Sequence, residues 1–181
     1  MMQINPRCLL GIAGLMLLFP VAHVVAVTKE AGRPVDDAYA EKVWRYMIEN
    51  ELVGESRMRT FPFVGLRPHG SIQDVITTKA TIAGHEGRLI VKHNYGAKDD
   101  LTVKQVYASE QKENLEAVTI MFQRETGYDA ENNDWFWAEY EPNGAIFVYQ
   151  GAHLSGRAPL CIGCHAPLGG EDREILNGNK H

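Results

Sequence analysis

The chain has 181 residues, 45% of them hydrophobic, which is enough for one domain with a packed core. Its 18 basic and 23 acidic residues leave a net charge of −5, and no basic stripe marks it for nucleic acid. Mild acidity names no partner by itself.

The chain opens with Arg7 and then runs uncharged over residues 8–27, Leu-rich and leaving through Val24, Val25 and Ala26. A positive start, an apolar stretch and a small-residue exit describe a secretory signal peptide over residues 1–26. The alternative is a retained anchor, since about twenty uncharged residues nearly span a bilayer. Pro20 and His23 interrupt the run and favour cleavage near Ala26. Cleavage implies export to the periplasm and no membrane attachment afterwards. It leaves residues 27–181 as a single domain, about 155 residues with a net charge of about −6 once Arg7 is gone.

Pro34 opens a helical pattern in which Asp36 and Asp37 oppose the positive end of the helix dipole. Val43, Trp44, Met47, Ile48 and Leu52 recur at i, i+3, i+4 spacing and predict one apolar face, with Gly54 as the stop. Residues 55–70 hold prolines, glycines, arginines and the pair Phe61 and Phe63, and read as a loop. From there the signal is strands: 72–82, 88–93, 103–108, 115–122, 135–140 and 145–149, separated by turns such as Gly84 to Gly87 and Pro142-Asn143-Gly144. One N-terminal helix followed by strands without βαβ alternation predicts an α+β, mainly β fold. Its centre is an antiparallel sheet of about five strands, with helices packed beside it.

Near the C-terminal end stands Cys161-Ile162-Gly163-Cys164-His165. C-x-x-C-H is the attachment sequence of a c-type haem: two thiols add to the two vinyl groups of one porphyrin edge, and the adjoining imidazole ligates the iron. A thiol-disulfide redox pair would want a βαβ setting near the front of a domain. A zinc site would need two more soft ligands, and no second C-x-x-C exists. Without residues 1–26 every remaining cysteine belongs to this motif, so no disulfide framework remains. Covalent haem c, one per chain, is the cofactor these residues predict, with Cys161 and Cys164 as the thioethers and His165 on the iron. Electron-transfer cytochromes c are usually helical with this motif near the front, so a motif placed after a β-rich region predicts something else.

Residues 134–144 (DWFWAEYEPNG) followed by that motif, together with Ile90-Val91-Lys92-His93-Asn94-Tyr95, Ala117 to Met121 and Gly127-Tyr128, resemble the cytochrome P-460 family over about residues 68–166. The family includes the β-type cytochromes c-prime. The resemblance implies a periplasmic monohaem protein on an antiparallel sheet, commonly a homodimer. It also implies a proximal His and an open or weakly occupied sixth iron position, acting on small nitrogen species.

In the family's enzymes a strand lysine is also bonded to the porphyrin, and Lys92 is the matching position, although His93 stands where an acidic residue is expected. On the alternating pattern alone Lys92 shares a face with Ile90 and opposes Leu89 and Val91, where a solvated outer lysine is the ordinary reading. Glu116 and Glu139 are candidate distal bases, each with an outward-facing strand position as the alternative. Phe61, Phe63 and Phe122 are candidates for an apolar cap, and His69, His93, His153 and Met121 for a sixth ligand. Three functions follow: oxidation of hydroxylamine or nitric oxide with electrons passed to a soluble acceptor, capture of nitric oxide without turnover, or low-spin electron transfer.

Overall fold

A computed structural model describes residues 32–96, 101–109, 111–170, 172 and 174. The signal-peptide reading of residues 1–26 lies outside them. Among the described residues no helix is long and apolar enough to cross a membrane.

Helix α1 (Pro34–Glu49) begins as predicted, with Pro34 at its first position and Asp36 and Asp37 in the first turn. Both acids are tied down: Asp36 takes a hydrogen bond from Arg33 Nε at 2.7 Å, and Asp37 accepts from Ser155 Oγ at 2.6 Å and lies 2.7 Å from His153 Nδ1. Of the face read from the sequence, Val43 and Met47 are buried with Tyr39 and Ala40, but Ile48 is exposed, and the helix ends at Glu49, before Leu52 and Gly54.

The main sheet runs β1 (Phe63–Val64), β2 (Ile72–Ile82), β3 (His85–Tyr95), β4 (Leu115–Gln123), β5 (Trp135–Tyr140), then β8 (Ser155–Gly156), all antiparallel. A small hairpin, β6 (Val148–Tyr149) with β7 (Ala152–His153), precedes β8. The central strands form a meander, each bonded to its sequence neighbour, as short turns between alternating segments require. The mainly β, antiparallel expectation holds, with the two-residue strands β1 and β8 added at the edges.

One segment differs. Residues 103–108, read as a strand, form helix α2 (Val103–Ala108). Val103 and Val106, three apart, fit a helix period rather than a strand's, and Thr102 settles it: its side chain and that of Gln105 form a reciprocal capping box. Residues 145–149 likewise keep only Val148–Tyr149 as strand.

The sheet has two differently used faces. On one, Leu89, Val91, Val118, Ile120, Phe122, Phe136, Ala138 and Tyr140 pack against α1. Tyr140 donates to the Ala40 carbonyl at 2.9 Å, and Trp44 lies 5.0 Å from the Tyr140 ring. Trp44 also rests on Gly144 (φ +93°), where a Cβ would come within 2.3 Å of the indole nitrogen. On the other face Ile90, Met121, Trp135 and Trp137 meet helix α3 (Pro159–Leu168), which carries the cysteine motif. Period-two alternation along β3, β4 and β5 sorts the residues into these two sets.

Candidate functional site

Helix α3 starts at Pro159, whose fixed φ suits a first helical position, and presents Cys161, Cys164 and His165 within its ten residues. His165 is buried, Cys161 is half-buried and Cys164 is exposed. The His165 ring sits 4.7 Å from Trp137, edge on. Cys161 packs with Ile90, Met121 and Trp137.

Beside this helix lies a cavity of about 440 Å³. Its walls come from all along the chain: His69 and Gly70 from the loop before β2, Asn94 from β3, Glu139 from β5, Leu154 after the hairpin, and Cys161, Cys164 and His165 from α3. A smaller cleft of about 30 Å³ adjoins it, sharing His69, Cys161 and His165 and adding Lys92, Met121 and Trp137. The sheet thus brings Lys92 to the motif, as the alternation with Ile90 required. It is 7% exposed rather than solvated, because α3 and the loop at His69 cover that face.

The surroundings set the protonation of each group. Burial lowers the Lys92 ammonium from 10.5 to about 8. Burial, then the charge of Lys92 and of His165, lowers His69 to about 4. Burial raises the Glu139 carboxyl. Burial, then Glu139 and Cys164, pushes the Cys161 thiol up to about 12. Reactive redox cysteines have depressed pKa values, so Cys161 is the opposite of one. Among the described residues no group of three His, Cys, Asp or Glu side chains could hold a metal ion together.

Two polar atoms on these walls are buried without a hydrogen-bond partner: Trp137 Nε1, a donor, and Asn94 Oδ1, an acceptor. Each unmet group costs about 1–3 kcal/mol, and with Asn94 on the larger cavity and Trp137 on the adjoining cleft they mark a place for a partly polar guest. The remaining wall is apolar, with Phe147, Leu154 and Leu160. A flat, mainly apolar group with polar edges would suit these walls, which the side chains of Cys161, Cys164 and His165 also line.

Other candidates fall elsewhere. Glu116 is exposed where it lines the cavity, at the bulge where Asn94 pairs with Ala117 and Tyr95 with Leu115. Phe61 is 80% exposed and stacks on Tyr107, Phe63 lies on edge strand β1, and Phe122 points to the α1 face, so none of the three caps the cavity. His153 is exposed beside Asp37. His93 is fully buried on the α1 face: Nδ1 is 2.6 Å from Asp74 Oδ1 and Nε2 is 3.0 Å from the Leu52 carbonyl. Trp137 and Asn94, not singled out in the sequence, line the cavity on the same alternation as Lys92.

A buried amine held at about 8 costs the fold stability below that pH. Its folded pKa lies beneath the unfolded value of 10.5, so the penalty is full at pH 7 and is relieved as pH rises from about 8 to 10.5. The shift corresponds to roughly 3 kcal/mol. Lys92→Met, of similar volume and uncharged, is therefore expected to stabilise the cofactor-free chain by about 2–3 kcal/mol at pH 7. Urea unfolding at pH 7 and pH 10 checks it, since the advantage should shrink at the higher pH. An equal gain at both would show that charge burial is not the cause.

No protein-family model, no curated protein and no solved structure matches this chain.

Proposed function

We propose that this chain is an exported monohaem c protein, with thioethers from Cys161 and Cys164 and iron ligation by His165, that acts on small nitrogen species. The observation that carries the reading is the meeting of the complete C-x-x-C-H set, on α3, with a cavity and an adjoining cleft that carry an unmet buried acceptor, Asn94, and an unmet buried donor, Trp137. The resemblance of residues 68–166 to the cytochrome P-460 family supports it and supplies the substrate class: hydroxylamine or nitric oxide. When bound, the haem provides a one-electron centre and a coordination position for such a molecule.

The chain's own residues supply the rest. Trp137 packs on the proximal imidazole and fixes its plane. Lys92, with an amine partly neutral near pH 8, is placed to form the additional bond to the macrocycle that the resemblance implies. Glu139, its carboxyl raised by burial, suits acceptance of a proton released on oxidation of hydroxylamine, and fits this role better than the more peripheral Glu116. Electrons then pass to a soluble acceptor, and pairing of two chains into a homodimer belongs to the same reading. Capture of nitric oxide without turnover is the second reading, favoured by the apolar wall of Ile90, Met121, Phe147 and Leu154.

The test is a pyridine haemochrome spectrum and the intact mass of the denatured protein purified from a periplasmic extract. One haem c per chain is expected. A chain without covalent haem would overturn the reading and return Cys161 and Cys164 to thiol chemistry.

A further inference from the structure

The described histidines other than His165 number four, and three are engaged away from the cavity. His93 is bonded to Asp74 and Leu52 behind the sheet, His153 faces Asp37, and His85 Nε2 lies 3.2 Å from the Gln123 carbonyl. His69 alone among them lines both the large cavity and the adjoining cleft, in the company of Cys161 and His165. No hydrogen bond to the described residues occupies its ring, although its backbone is well held. Gln73 Nε2 donates to the His69 carbonyl at 2.8 Å and to Leu66 at 3.3 Å, and the His69 amide donates to Leu66 at 3.2 Å. Gly70 (φ +87°) closes the loop against Tyr95, whose carbonyl would lie 2.8 Å from an added Cβ.

The distance between the two imidazoles is the informative quantity. The ring centres of His69 and His165 are 6.2 Å apart, with planes crossed at 67°. Two imidazoles bound on opposite sides of one metal ion, each with a bond of about 2 Å and a ring centre about 1 Å beyond it, stand roughly 6 Å apart. The crossed planes are no obstacle, because rotation about each metal–nitrogen bond leaves the axis unchanged.

We propose that His69 is the second axial ligand of the haem iron, opposite His165, and that an incoming small molecule must displace it. The inference rests on the haem reading above and departs from the open or weakly occupied sixth position that the resemblance implies. The side chain comes from a loop rather than a strand, and its anchoring is through main-chain carbonyls. The imidazole can therefore swing away without disturbing the hydrogen bonds that hold the loop. The sixth position is then neither open nor permanently blocked: ligand access is gated by one side chain.

The experiment uses the matured haem protein. The wild type is expected to give low-spin absorption bands in both the ferric and ferrous states, together with a low-spin ferric electron paramagnetic resonance signal. His69→Ala should keep its covalent haem, shown by an unchanged pyridine haemochrome, but turn high-spin, and added imidazole should restore the low-spin spectrum. Carbon monoxide binding to the ferrous wild type should level off with gas concentration, because loss of His69 limits it. In His69→Ala it should rise linearly and be at least tenfold faster. A high-spin resonance signal from the wild type would overturn the inference without need of any variant. So would low-spin bands that survive His69→Ala, or that are lost on Met121→Leu instead. Wild type lacking covalent haem would overturn the underlying reading, and this one with it.

Discussion

Replacing Cys161 and Cys164 together by alanine is expected to leave a chain with no covalently retained haem: denatured protein should show the polypeptide mass alone, and the haemochrome signal should vanish. The argument is chemical. Each thiol forms one bond to one vinyl group, so either single variant keeps one link, while the double variant keeps only ligation, which denaturation breaks. The two cysteines have no other partner to compensate, since both are free thiols and lie on one short helix. Persistence of covalent haem in the double variant would show that another side chain, with Lys92 the first to test, holds the macrocycle unaided.

The second large effect concerns stability and lies behind the sheet. Asp74 is fully buried and receives hydrogen bonds from His93, Tyr95 and Arg57, whose side chains are themselves buried. Burial alone would raise this carboxyl, but the hydrogen bond and charge of His93, with Arg57 and Tyr95, outweigh it and hold the group well below the usual carboxylate range. Asp74→Ala strips the acceptor from three donors at once and leaves a guanidinium uncompensated in the interior. A loss of about 3–5 kcal/mol is expected, a large share of a typical domain's stability. Urea unfolding at pH 7 measures it. The sign with pH follows from the depressed value: the contribution is present above the ordinary carboxylate pKa of 3.8 and is lost as pH falls towards the folded value. The gap between wild type and variant should therefore narrow in acid. A gap that stayed constant down to pH 2 would assign the loss to packing instead.

What was legible in the sequence follows from range. Along β3 the alternation placed Lys92 with Ile90 and against Leu89 and Val91, and that is how the strand lies. Whether the face was wet or covered depended on α3, some seventy residues later, and local pattern carries no such information. The same limit left His69 as one of four sixth-ligand candidates, since a loop reading could not bring it to His165, and hid Asn94, whose unmet oxygen means nothing until the opposite wall is present. Phe122 shows the converse: its place next to Met121 already assigned it to the other face, so alternation alone argued against its use as a cap. At α2 β-branched content suggested a strand, while the i, i+3 spacing of Val103 and Val106 and the capping box at Thr102 and Gln105 were the signals for a helix. Edge strands of two residues, β1 and β8, leave no pattern to read.

The meander has a consequence for the order in which the molecule can be assembled. Strands β2 to β5 each pair with the neighbour made just before, so the central sheet and most of its α1 face can form before β8 adds its edge. Such near-neighbour pairing forms quickly, and a chain is synthesised from its N-terminal end. The wall bearing Lys92, Asn94 and Trp137 is thus finished while Pro159–Leu168 has yet to arrive. Helix α3 comes to a prepared half-site with Cys164 exposed, and on the proposed haem reading attachment would need no strand to be undone. On that reading, cofactor attachment and the docking of α3 would coincide.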